Sequence, residues 1–157
     1  MHPIIGISDY NLQEAASFLN TLLADEYVVY TKTRKAYWNV TGINFAELHK
    51  VFQIQSDSLD MIIDSVAERT RSLGHFALGS MKDFLAVTNL SEENHESHKP
   101  EKIIRWILND HETIIRIIRN KVTDFTDKYR DAGTAGFITE LMEQHEKMAW
   151  VLRSSLM

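Results

Sequence analysis

The chain contains no cysteine. That excludes disulfides and thiolate metal sites, so any metal must sit on nitrogen and oxygen donors. No stretch approaches the roughly 18 apolar residues of a membrane span. The opening MHPIIGISDY lacks a basic region followed by an apolar run and a cleavage site. It does not read as a secretory signal, and a cytoplasmic location is expected. Basic residues are in deficit: 17 Lys and Arg stand against 22 Asp and Glu, for a net charge of −5. The first ten residues carry no Lys or Arg. A surface built to attract phosphate backbones is therefore excluded, and DNA binding is not expected. No Gly-rich phosphate loop, nucleophile elbow or HExxH motif is present.

Proline occurs twice and glycine six times in 157 residues. These residues fall at joints: Pro3 and Gly6, Gly42, Gly74 and Gly79, Pro100, Gly133 and Gly136. Long stretches free of both, bounded by them, predict a helical protein. A length of 157 residues with 44% hydrophobic content fits a single domain, 1–157, with a sizeable core.

The first helix is expected over 11–39, with Asn11 and Glu14 as a capping box. Leu12, Ala15, Ala16, Leu19, Leu22, Leu23, Tyr27 and Tyr30 repeat at helical spacing along it. The second is expected over 44–74, started by Asn44 with Glu47. A short helix over 81–87 precedes a polar stretch, TNLSEENHESHK, whose His95 and His98 read as solvated loop residues. The third main helix is expected over 100–128, with proline near its first turn. The fourth is expected over 134–155. Met61, Met81, Met142 and Met148 read as packing residues, and His145 as a hydrogen-bonded structural histidine. Trp106 and Trp150 are assigned to core or interface. Four long helices with a long crossover between the second and third describe an all-α, ferritin-like four-helix bundle. Such bundles often carry an inward Glu-x-x-His pair on each of two helices. Here one such combination exists, Glu92 with His95 in the polar stretch, so the buried intrachain di-iron site is not expected.

The second helix carries the chemistry. At about 100° per residue, His49, Gln53, Asp57, Asp60, Asp64 and Glu68 share one arc of roughly 100°. Val51, Phe52, Leu59, Ile62, Ile63, Val66 and Leu73 form a separate apolar stripe. A histidine and carboxylate set suits iron, manganese or zinc. Asp64 and Glu68 are i, i+4 neighbours and can share an ion. His49 lies fifteen residues from Asp64, roughly 22 Å along the axis, so it cannot join them on one helix. Metal–ligand bonds are only about 2.0–2.6 Å. Two readings follow. Either the acids are a solvated face and His49 is incidental, or a second copy brings its own His49 across an antiparallel two-fold interface. Asp124, Asp127 and Asp131, near the turn into the last helix, are either turn acids or the lining of a cation pore.

The sequence resembles the Dps-type miniferritins, from about Leu19 to Leu156. The resemblance is carried by LNTLLADEYVVYTKTRKAYWNVTGINFAELHKVF, by DSVAERTRSLG and by DAGTAGFITELMEQHEKMAWVLRSSL. It implies a hollow twelve-subunit shell, a homo-oligomer with metal sites shared between two-fold-related subunits. It further implies oxidation of ferrous iron, with hydrogen peroxide or oxygen, and storage of ferric mineral as protection against oxidative damage. His49, Asp64 and Glu68 match the family's metal ligands. Two positions depart: Tyr37, before Trp38, stands where the family has histidine, and Gln53 where it has an acid. Tyr37, Gln53 and Trp38 are thus expected to line a site with fewer ligands and slower oxidation. Asp131 matches the first pore aspartate and, with Asp127, implies an iron-entry funnel, while Gly136 replaces the second.

Overall fold

The computed structural model describes residues 3–92 and 99–156. Helix α1 runs Asp9–Asn39, α2 Phe45–Ser72, α3 Met81–Val87, α4 Pro100–Thr123 and α5 Ala132–Ser154. A π-helical turn, Asp124–Lys128, separates α4 from α5. The described residues contain no strand. Both His95 and His98 lie outside the described residues.

The expected helices all form, and their ends are where the structure corrects the sequence reading. Ser8, not Asn11, caps α1: its side chain accepts from the Asn11 N–H at 3.3 Å. Asn44 does cap α2, but with no side-chain hydrogen bond, so the expected box with Glu47 does not form. Gly42 and Gly74 hold positive φ of +117° and +86° at the ends of α1 and α2, where an L side chain would be strained. The third main helix stops being α-helical at Thr123. Its apolar spacing continues through Phe125 and Tyr129 because the π turn keeps both side chains buried. Their rings meet edge to face at 5.3 Å.

Helices α1 and α2 form one antiparallel hairpin and α4 with α5 the other. The core lies between them, with Leu19, Leu23, Phe52, Leu59, Ile107, Ile114, Ile138 and Leu152 almost wholly removed from water. Short α3 crosses over α1, where Phe84 stacks on Tyr27 at 4.2 Å. Buried Asp25 of α1 secures the chain after α3. It accepts from Thr88 Oγ1 and Asn89 N, both at 2.6 Å, and from Asn89 Nδ2 at 2.9 Å. Met142 and Met148 are packing residues as expected, but Met61 and Met81 are 66% and 62% exposed. Both occupy helix faces that this single chain leaves bare. Trp150 is exposed and Trp106 half-buried.

Asp131 caps α5. Its carboxylate accepts from the Thr134 N–H at 2.9 Å, from the Thr134 hydroxyl, and from Arg69 of α2 at 3.2 Å. The guanidinium also reaches Thr134 Oγ1 at 2.9 Å. A Cβ at Gly133 would sit 2.9 Å from that guanidinium, so a side chain there would push Arg69 aside. This knot ties the end of α2 to the start of α5. Asp131→Ala removes the cap, and denaturant unfolding should show a loss of about 1–2 kcal/mol. An unchanged midpoint would mean the knot carries no stability.

Candidate metal centre

His49 is half-buried between two aromatic rings. The Tyr37 ring stacks on it at 4.0 Å and 22°, and Phe45 lies 5.0 Å away on a tilt. Its Nδ1 sits 2.9 Å from the Tyr37 carbonyl oxygen. A carbonyl only accepts, so Nδ1 carries the hydrogen. The neutral ring then presents its lone pair at Nε2, the tautomer a metal-binding imidazole needs. The Arg34 guanidinium stacks on Tyr37 at 4.8 Å and on Trp38 at 5.1 Å. Tyr37 therefore contributes in two ways that its residue type does not announce. Its backbone fixes the His49 tautomer, and its ring holds the imidazole plane.

The rest of the stripe faces outward. Gln53, Asp57, Asp60, Asp64 and Glu68 are all exposed. Among the described residues, no three His, Asp or Glu side chains converge to hold an ion within this chain. That agrees with the axial separation of His49 from the acids. Large apolar side chains lie bare beside them: Trp38 at 64%, Ile54 at 55%, Met61 at 66% and Phe45 at 46% exposure. Ile54 and Met61 are i, i+7 on α2, directly flanking Asp57 and Asp64. Large apolar groups exposed this close together are common on surfaces that bind another protein.

At the turn before α5, the acids separate by environment. The Lys121 ammonium, 2.8 Å from Asp124, holds that carboxyl below the usual carboxylate range. Asp131 is only 3% exposed and occupied by its cap. Asp127 is exposed on the π turn.

A second polar cluster lies inside the bundle, and the sequence reading found only His145. Glu26 of α1, His145 of α5 and His111 of α4 are fully buried. Glu26 Oε1 lies 2.9 Å from His145 Nε2, and His145 Nδ1 lies 2.8 Å from His111 Nδ1. Glu26 Oε2 and His111 Nε2 are buried without a protein hydrogen-bond partner. The signal was available: Glu26 falls on the Leu19–Leu22–Val29 face of α1, and His111 on the Ile107–Ile114–Ile118 face of α4.

A family model for the ferritin-like domain matches residues 16–157, and the chain belongs to that family. An uncharacterised low temperature-induced protein of Nostoc is 39% identical over 150 residues, covering 96% of this chain and 84% of that one. The DNA protection during starvation protein of Helicobacter pylori is 26% identical over 138 residues, 88% of this chain and 95% of that one. The crystal structure of Dps from Vibrio cholerae superposes with a TM-score of 0.92 at 26% identity, covering 99% and 97% of the two chains. That protein is described as a member of a superfamily of ferritin-like diiron-carboxylate proteins. Within the ferritin-like family, the chain is a Dps-type miniferritin.

Proposed function

We propose that this miniferritin binds ferrous iron at sites shared between two-fold-related copies, oxidises it with hydrogen peroxide or oxygen, and stores the ferric product in a hollow homo-oligomeric shell. The observation that supports this reading is the outer face of α2. It presents a tautomer-fixed imidazole at one end and the Asp64/Glu68 pair at the other, among apolar side chains that none of the described residues covers. Antiparallel pairing of two such faces brings each His49 to its partner's acids. One imidazole nitrogen with carboxylate oxygens suits a hard to borderline ion such as Fe²⁺. Desolvation on pairing would strengthen the attraction of the acids for the cation. Exposed Asp127 is the acid we assign to an entry path for iron. Asp131 shapes the same turn from beneath.

The test is ferrous oxidation followed optically under peroxide and, separately, under oxygen, alongside the mass of the particle in solution. Rapid peroxide-dependent oxidation by an assembled shell supports the reading. A monomer in solution would sink it.

A second reading is a shell that binds metal with weak oxidation. Two observations favour it: the Tyr37 ring lies against His49 as a packing surface, and Gln53 offers only a neutral oxygen. Tyr37→His combined with Gln53→Asp supplies an imidazole and a carboxylate at those positions. Peroxide-dependent oxidation should accelerate in the double variant. An unchanged rate would count against the assignment of this face as the site.

A further inference from the structure

The Glu26–His145–His111 chain joins α1 to α5 across the seam between the two helical hairpins, and α5 to α4 within the second hairpin. We propose that it is an acid-sensitive latch, closed at neutral pH and opened by proton uptake, that controls how tightly α4 and α5 are held to each other and to α1.

Hydrogen counting drives the argument. An ionised carboxylate only accepts, so His145 Nε2 donates to Glu26. The 2.8 Å contact between the two Nδ1 atoms holds one hydrogen, because one nitrogen must donate and the other accept. With that hydrogen on His145, the chain reads carboxylate, imidazolium, neutral imidazole, and its charge is balanced. No further proton fits. Placed on His111 Nδ1, it sets two N–H groups against each other and adds a second buried cation. Placed on Glu26, it removes the charge that holds His145. The first route breaks the link between α4 and α5, and the second the link across the seam.

The surroundings offer no relief. On α1, Lys32 is taken by Asp110 of α4 at 2.7 Å, and Asp25 accepts from Thr88 and Asn89. On α4, Glu112 pairs with Arg153 of α5 at the surface, and on α5, Glu146 pairs with Arg119 of α4. On α2, buried Gln55 is neutral and donates to the Met148 carbonyl at 3.1 Å. The α2 acids Asp57, Asp60 and Asp64 face outward. Burial first, and the charge of His145 second, push the His111 imidazole well below its ordinary range. The closed seam therefore binds one proton fewer than the opened one below the ordinary imidazole value of about 6.5. In that window the opened fraction grows by up to about tenfold per pH unit.

Hydrogen–deuterium exchange on the full-length protein reads this directly, as protection factors between about pH 7.5 and pH 5. Amides of α4 and α5 should lose protection by up to about tenfold per unit in the acid half of that range. His111→Phe should abolish the slope. His111→Gln serves where circular dichroism at neutral pH shows that the phenylalanine variant does not fold. His75→Gln, on the exterior loop after α2, should keep the slope. A flat wild-type profile overturns the proposal without reference to any variant. So does a slope that survives removal of His111, or a loss shared equally by every helix.

Discussion

Mixed particles made from two inactive subunits should regain about a quarter of the wild-type rate of ferrous oxidation. One subunit carries His49→Ala and keeps its acids. The other carries Asp64→Ala with Glu68→Ala and keeps its histidine. Each parent alone lacks part of the ligand set at every interface and should be inactive. In a mixed pair, the two sites are unlike. One combines the missing histidine with the missing acids. The other combines an intact His49 with an intact Asp64/Glu68 pair. Random pairing makes about half the interfaces mixed, and half the sites at those are whole. The outcome rests on the proposed shared site, since roughly 22 Å of α2 separates the two donor groups in one chain. Recovery should need refolding or co-expression, because preformed shells cannot exchange partners at an interface that is already closed. No recovery in verified mixed particles would place the donors in one chain or remove them from the site. High activity in either parent alone would do the same.

Much of this was legible in the sequence because the signals are periodic. Apolar spacing placed the helices, and the sparse glycines marked their joints. The spacing of His49 and Asp64 alone says that the two cannot meet on one helix. What escaped was local or hidden. The Ser8 cap is set by where the chain enters α1, which lies upstream of the first periodic residue. The π turn keeps Phe125 and Tyr129 buried, so their spacing looks like more α-helix. The exposed Met61 and Met81 read as packing residues because residue type alone does not say which apolar positions the fold leaves bare. The His49 tautomer rests on a backbone carbonyl, which no residue type advertises. The cap that Asp131 makes on α5, and its pairing with Arg69, depend on contacts that residue type does not announce. Glu26 and His111 were hidden by expectation. A polar residue on an apolar stripe is usually read as an edge position, and only the fold shows that both point inward.

Removing Glu26 should be the most destabilising single substitution proposed. Glu26→Ala leaves an uncompensated imidazole charge and a void among fully buried side chains, and the expected loss is roughly 3–5 kcal/mol at neutral pH. The helix-cap loss at Asp131 is a few times smaller, so the two variants make an internal scale. Denaturant unfolding at fixed protein concentration reads both, provided the slope with denaturant is unchanged. The more telling variant replaces the whole chain of groups: Glu26→Leu, His145→Leu and His111→Phe together. Apolar packing of similar volume removes the desolvation cost of the buried charges along with their attraction. Stability at neutral pH should return to within about 1 kcal/mol of wild type or exceed it. The acid sensitivity of the seam should vanish with it, since no group between the hairpins is left to take up a proton. That contrast separates two reasons for burying a charge. If the triple variant is stable yet indifferent to acid, the polar chain is there for its response to protons, and cohesion of the bundle does not depend on it. If Glu26→Ala costs less than about 1 kcal/mol, the carboxylate and His145 are not held as a buried pair, and the latch fails with them.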